Sequence, residues 1–182
     1  VSNIGSSSVK FRVRVGTRTG TDPAITYTGT PAPALTILSN RPRGVFHQID
    51  IADDYEIADL DFRIDSITTT AAGDLTAMLR SPQGIGVDLV TLIDGLNDLG
   101  GTSIAGMVID DDVAAIAAND MVQATLADSP YTRSWLPAYN SPWAALVDAD
   151  LPADPVGALS RYDGMSTLGT WSAHVADVWS AA

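Results

Sequence analysis

Cysteine is absent from the 182 residues, lysine occurs once and histidine twice. Without cysteine there is no disulfide, no thiolate metal ligand and no cysteine nucleophile. The single lysine, Lys10, lies in no glycine-rich phosphate loop, which excludes a Walker-type nucleotide site. With only His47 and His174 available, histidine-based acid–base chemistry has few ways to be built. Long apolar runs are missing too: each is broken by Asp or Gly within about ten residues, short of a helical membrane span. No basic-then-apolar leader opens the sequence. Helical periodicity is nearly absent as well, which leaves strands and turns.

Short alternating or β-branched stretches fill the chain at 9–15, 24–28, 35–38, 45–51, 57–67, 75–79, 87–92, 104–109, 121–126 and 170–178. Turn-forming clusters at 71–74, 81–84 and 97–101 separate them. Strands joined by Gly/Pro/Asp turns without long intervening helices imply an all-β antiparallel, jelly-roll-like sandwich with an N-terminal β-strand arm. The Ala-rich stretch 111–118 has room for one helical turn. At this length a hydrophobic core suffices for stability, and 46% of the residues are hydrophobic.

Charge is unevenly placed. Residues 1–43 hold Lys10, Arg12, Arg14, Arg18, Arg41 and Arg43 against Asp22 alone, whereas the rest holds four Arg against 21 carboxylates. The alternating Pro31-Ala32-Pro33 marks a boundary, giving a basic arm and linker at 1–33 and a sandwich at 34–182. A basic arm on an acidic body docks either on its own body or on a neighbouring copy's acidic face. Nucleic acid fits poorly, because the body would repel it and the arm lacks interleaved aromatics beyond Phe11 and Tyr27.

Four stretches fall into a familiar order. "GDLTAMLRSPQG" (73–84) resembles the hairpin of the P domain, also called the P/Homo B domain, which follows the catalytic domain in proprotein convertases and bacterial subtilisin-like proteases. "MVIDDDVAA" (107–115), "SPYTRSWLP" (129–137) and "LSRYDGMSTLGTWSAHVADVW" (159–179) are similar to further segments of that domain, in the same order. The likeness spans about 34–179. Thr69 stands where the family often has His, Ile109 where it has an aromatic, Asp163 where it has Asn, and the stretch from 135 to 156 is a long insertion. The resemblance implies a non-catalytic accessory or protein-interaction module of an exported protein. Its partner would be a neighbouring protease domain or copies of itself, without membrane insertion, at an extracellular or surface location. The other reading is a structural subunit or decoration protein of a surface, filament or virion assembly, in which the arm adds a strand to a neighbour.

The residues of "GTWSAHV" (169–175) answer whether this stretch is reactive. Alternation puts Trp171, Ala173 and Val175 toward the core and Ser172 and His174 outward, so the indole closes the sandwich end. "GGTSIAGMV" (100–108) resembles the segment that carries the nucleophile in subtilisin-like proteases. Met107 occupies its proline position, however, and neither histidine has the matching context, so Ser103 is not expected to be catalytic and no enzyme is expected. Asp110 and Asp112, on one side of an extended segment, are candidate calcium ligands, with Asp74, Asp163 or Asp177 as a third. Alternatively Asp111 caps a helical turn while its neighbours are solvated. Asp53, Asp54, Glu56, Asp148 and Asp150 read as solvated loop charges. Partner contacts are expected from Lys10, Arg12, Arg14 and Arg18. Trp135, Tyr139 and Trp143, spaced by Pro137 and Pro142, either form an exposed binding cluster or fold over the sandwich end.

Overall fold

In the computed structural model the residues described are 9–15, 24–29, 35–38, 41–69, 72–91, 103–112, 128, 130–137 and 159–177. They form nine strands: β1 (Val9–Val15), β2 (Ala24–Gly29), β3 (Arg41–Ile51), β4 (Ile57–Thr68), β5 (Leu75–Arg80), β6 (Gly86–Thr91), β7 (Ser103–Ile109), β8 (Ser134–Trp135) and β9 (Gly169–Asp177). Two sheets result, one ordered β2-β1-β4-β7-β8 and the other β3-β9-β5-β6. All pairings are antiparallel except β7 with β8. The all-β sandwich expected from the strand and turn pattern is therefore the observed architecture. Two short 3-10 turns are formed by Ala72–Asp74 and Leu159–Tyr162. None of those residues forms a helix long and apolar enough to cross a membrane.

Residues 35–38 form no strand, although Ile37 is buried. The expected strand at 121–126 and most of the Ala-rich stretch lie outside the described residues. The basic segment supplies two of the five strands of the first sheet. Val9, Phe11 and Val13 stand opposite Ile64, Phe62 and Leu60, all three buried, while Arg12 and Arg14 stand opposite Asp61 and Asp59. Directly opposed residues share a face, so the register alone sets the alternating positions of β1 against the alternating positions of β4. The strand at 9–15 pairs with β4 of the same chain.

The core lies between the sheets. Leu60, Phe62, Ile64, Ile104, Met107 and Ile109 from one side join Ile49, Leu75, Leu79, Val87, Leu89 and Trp171 from the other in a single cluster. Strict alternation would not bury both Ile104 and Met107, three residues apart. Gly106 has φ 73°, the left-handed conformation, and shifts the phase of β7 between them. A Cβ at Gly106 would lie 3.1 Å from Nη2 of Arg63, whose guanidinium bonds Asp65 at 2.7 Å.

Candidate functional site

The best-organised polar region is one end of the sandwich, where residues 159–171 meet β4, β5, β6 and β7. Its anchor is Tyr162. The ring is buried, and its hydroxyl donates to the carbonyl of Leu79 at 2.7 Å and lies 3.4 Å from that of Ile85. Burial raises the phenol's pKa far above its ordinary value, so it stays a neutral donor. Trp171 packs edge-on against it, 5.2 Å between centroids at 74°, and donates through Nε1 to the carbonyl of Thr167 at 2.8 Å. Trp171 is buried, as the alternation requires.

The backbone around these rings is tied down residue by residue. Gly164 N donates to Ile57 O and Ile57 N to Met165 O, while Thr167 N donates to Tyr55 O. Thr167 Oγ1 accepts from Tyr55 N and donates to Asp53 O. In the β5–β6 hairpin, Gly84 N donates to Ser81 O and Ser81 N to Ile85 O, a tight turn with Gly84 at φ 88°. Gly169, at φ 121°, lies so close to Pro82 that an added Cβ would sit 2.8 Å from the proline Cβ. The contacts of the stretch from 159 to 171 join backbone to backbone, ring to ring, and side-chain hydroxyls and the indole to carbonyls and carboxylates of neighbouring segments. It is a closure.

His174 lies on the outer face of its sheet, as expected, but it is covered there. It is 1% exposed, and Phe46 lies stacked on it with centroids 4.2 Å apart at 11°. Its Nε2 bonds the carbonyl of Arg43 and must therefore carry the proton. Burial holds its pKa below the ordinary value despite that bond. Alternation did place it on the outer face of its sheet. There the row Phe46, His174, Met78 and Asp88 crosses all four strands, and Met78 and Asp88 are also buried. His47 sits on the inner face, and its buried Nε2 has no hydrogen-bond partner among the described residues. It lines a cavity of about 20 Å³ together with Ile37, Val45, Phe62 and Ala173. That is room for about one water molecule.

Ser103 opens strand β7 opposite Thr68 rather than starting a helix. Asp110 Oδ1 accepts from Asp112 N at 2.8 Å, and Asp111 Oδ2 accepts from Ser160 N at 2.8 Å. Asp111 therefore caps the distant 3-10 turn Leu159–Tyr162, while the helical turn expected after it lies outside the described residues. Asp74 is buried in the turn ahead of β5, and among the described residues no three His, Asp or Glu side chains gather to hold a metal. The Asp50, Asp53 and Asp54 carboxylates accept from Thr170, Tyr27 and Ser166, and Asp148 and Asp150 lie outside the described residues. Burial first and then the Asp53 carboxylate push the Tyr27 phenol up to about 12.

Trp135 is 1% exposed, so it takes no part in an exposed aromatic cluster. Its indole packs edge-on to Tyr131 at 6.3 Å, and the Arg133 guanidinium lies 4.0 Å above it, held by Asp128 at 3.2 Å. Tyr139, Trp143 and Arg18 lie outside the described residues. For Lys10, Arg12 and Arg14 the register in β1 alone is described. The Phe46–His174 stack and the turn that Asp111 caps escaped the reading of the sequence, because each joins residues far apart in the chain. No protein-family model matches the chain, and no curated protein and no solved structure matches it.

Proposed function

We propose that the chain is a P-domain-type β-sandwich, a non-catalytic accessory and protein-interaction module of an exported protein. One observation carries this reading. The four stretches that resemble the P domain, scattered over a hundred residues of sequence, are bonded to one another in space. Tyr162 of the last stretch bonds Leu79 of the first, and Asp111 of the second bonds Ser160 of the last. Asp110 N donates to the carbonyl of Trp135, which joins the second stretch to the third. A set of motifs that co-operate in one structural closure is what a scaffold module requires. The path of the chain supports a jelly roll. It passes from β3 to β4 to β5 on alternating sheets, and β9 returns between β3 and β5. The strand position of Ser103, the covered imidazole of His174 and the small cavity at His47 support a role without covalent chemistry.

The role in this reading is to brace or target a neighbouring catalytic domain. Its test starts from the complete reading frame in the source genome. If the frame encodes a protease domain, expression with and without this module is expected to show a shorter thermal half-life of the protease when the module is missing. A frame with no catalytic neighbour, or a protease whose half-life is unchanged, overturns the proposal.

A further inference from the structure

Two large apolar side chains stand in water at the closed end of the sandwich. Tyr55 is 40% exposed and Leu168 46%. They lie on two segments zipped together by backbone bonds: Thr167 N donates to Tyr55 O, Tyr55 N donates to Thr167 Oγ1, and Glu56 bridges to Ser166. Exposed Pro82 extends the patch, since it lies against Gly169, the residue after Leu168. Apolar side chains on a backbone already held in place lose little freedom when a partner covers them, which suits them as binding anchors. The rim of the patch is acidic. Asp50, Asp53, Asp54 and Glu56 are all exposed. Three of the four accept from neutral hydroxyls, those of Thr170, Tyr27 and Ser166. A hydroxyl orients a carboxylate without cancelling its charge. Asp65 and Asp128, by contrast, are paired with Arg63 and Arg133, and among the described residues no cation pairs with the four.

We infer that this end, formed by residues 50–56 and 166–170 with Pro82, is a docking site for a cationic segment of a partner protein, one that interleaves arginine or lysine with large apolar residues. The apolar side chains of that segment cover Tyr55 and Leu168, and its cations meet the carboxylates of the rim. Charge complementarity selects this occupant over the others. A purely apolar partner would strip water from carboxylates and leave them unpaired. A purely cationic one would leave the apolar patch in water. A nucleic acid or an acidic lipid headgroup is repelled by the rim. The inference deepens the interaction-module reading, on which it rests for the partner being a protein.

The test uses the full chain and two fluorescein-labelled synthetic peptides of equal charge, one alternating arginine with leucine and the other alternating arginine with serine. In anisotropy titrations at physiological salt, the leucine peptide is expected to bind about tenfold more tightly than the serine peptide. Tyr55→Ser with Leu168→Ser is expected to abolish that preference, and Leu168→Ser alone to reduce it, so the point is still read if the double variant does not fold. Asp53→Asn with Asp54→Asn keeps an acceptor oxygen at each position. It is expected to weaken both peptides and to flatten the salt dependence of their binding. Asp65→Asn with Asp128→Asn changes the net charge equally elsewhere in the fold and is expected to leave both affinities unchanged. Absence of binding at millimolar peptide overturns the inference. So do equal affinities for the two peptides, or an equal loss in the Asp65 and Asp128 variant, which would mean attraction to the net charge alone. No catalytic domain takes part in these titrations, so their failure is distinct from an unchanged half-life of the protease.

Discussion

At Tyr162 one hydroxyl serves two carbonyls of the β5–β6 hairpin, and the ring backs the indole that shuts the sandwich end. Replacing it with Phe keeps the packing and removes the donor, leaving buried acceptors without it. Tyr162→Phe is expected to cost about 1–3 kcal/mol in urea unfolding. Trp171→Ala, which empties the space that the indole fills, is expected to cost about 3–5 kcal/mol. A loss below either range would show that the end is closed by other contacts. His174 gives a pH signature. Its folded pKa is depressed by burial, while in the unfolded chain it is about 6.5. The unfolded state therefore binds the proton first as pH falls. The stability from the neutral imidazole is fully present above about pH 6.5 and is lost as pH drops from there toward the folded pKa. Two further ionisable residues flank the ring: Arg43 on β3, whose carbonyl it bonds, and Asp88, beyond Met78 in the same row. The melting temperature is expected to fall between pH 7.5 and 5.5, and His174→Gln is expected to flatten that slope. Equal slopes in both proteins would remove His174 as the cause.

At the scale of elements, the first hairpin decides what the N-terminal segment is for. Leu60, Phe62 and Ile64 of β4 are buried with β1 alongside, and removing residues 1–29 strips β4 of one hydrogen-bonded neighbour along seven positions. The truncated chain is expected to lose its cooperative thermal transition or to aggregate. A folded monomer with a wild-type melting temperature would mean that the strand is dispensable. The same element shows how far local pattern reaches. The alternation of "VKFRVRV" identifies a strand. Which strand it pairs with is a question of long-range pairing, answered by its register with β4. Residues 35–38 were misjudged for the converse reason. An apolar run is compatible with a strand, but a strand needs a neighbour for its amides and carbonyls, and these four residues have no ladder partner.

For the whole molecule, the arrangement at the acidic loop bears on calcium. Two of its three consecutive carboxylates already accept backbone amides, from Asp112 and Ser160. Chelator is expected to leave the melting temperature unchanged, and a drop reversed by added calcium would place a cation in this protein. The strand content, the hairpin at Ser81–Gly84 and the buried Trp171 were all legible from the chain, because alternation and turn chemistry act over two to four residues. Trp135 and His174 show the limit of that range. Both sit in strand-like stretches. Alternation names the face of a side chain but not what lies above that face. Trp135 is covered by packing beside β7, and His174 by Phe46, which lies 128 positions earlier in the chain. The sequence by itself determined which residues extend, which turn and which side of each strand is apolar. Only the tertiary structure decided which of the described strands pair with one another, since that depends on pairing between distant segments, and with it which polar groups are covered.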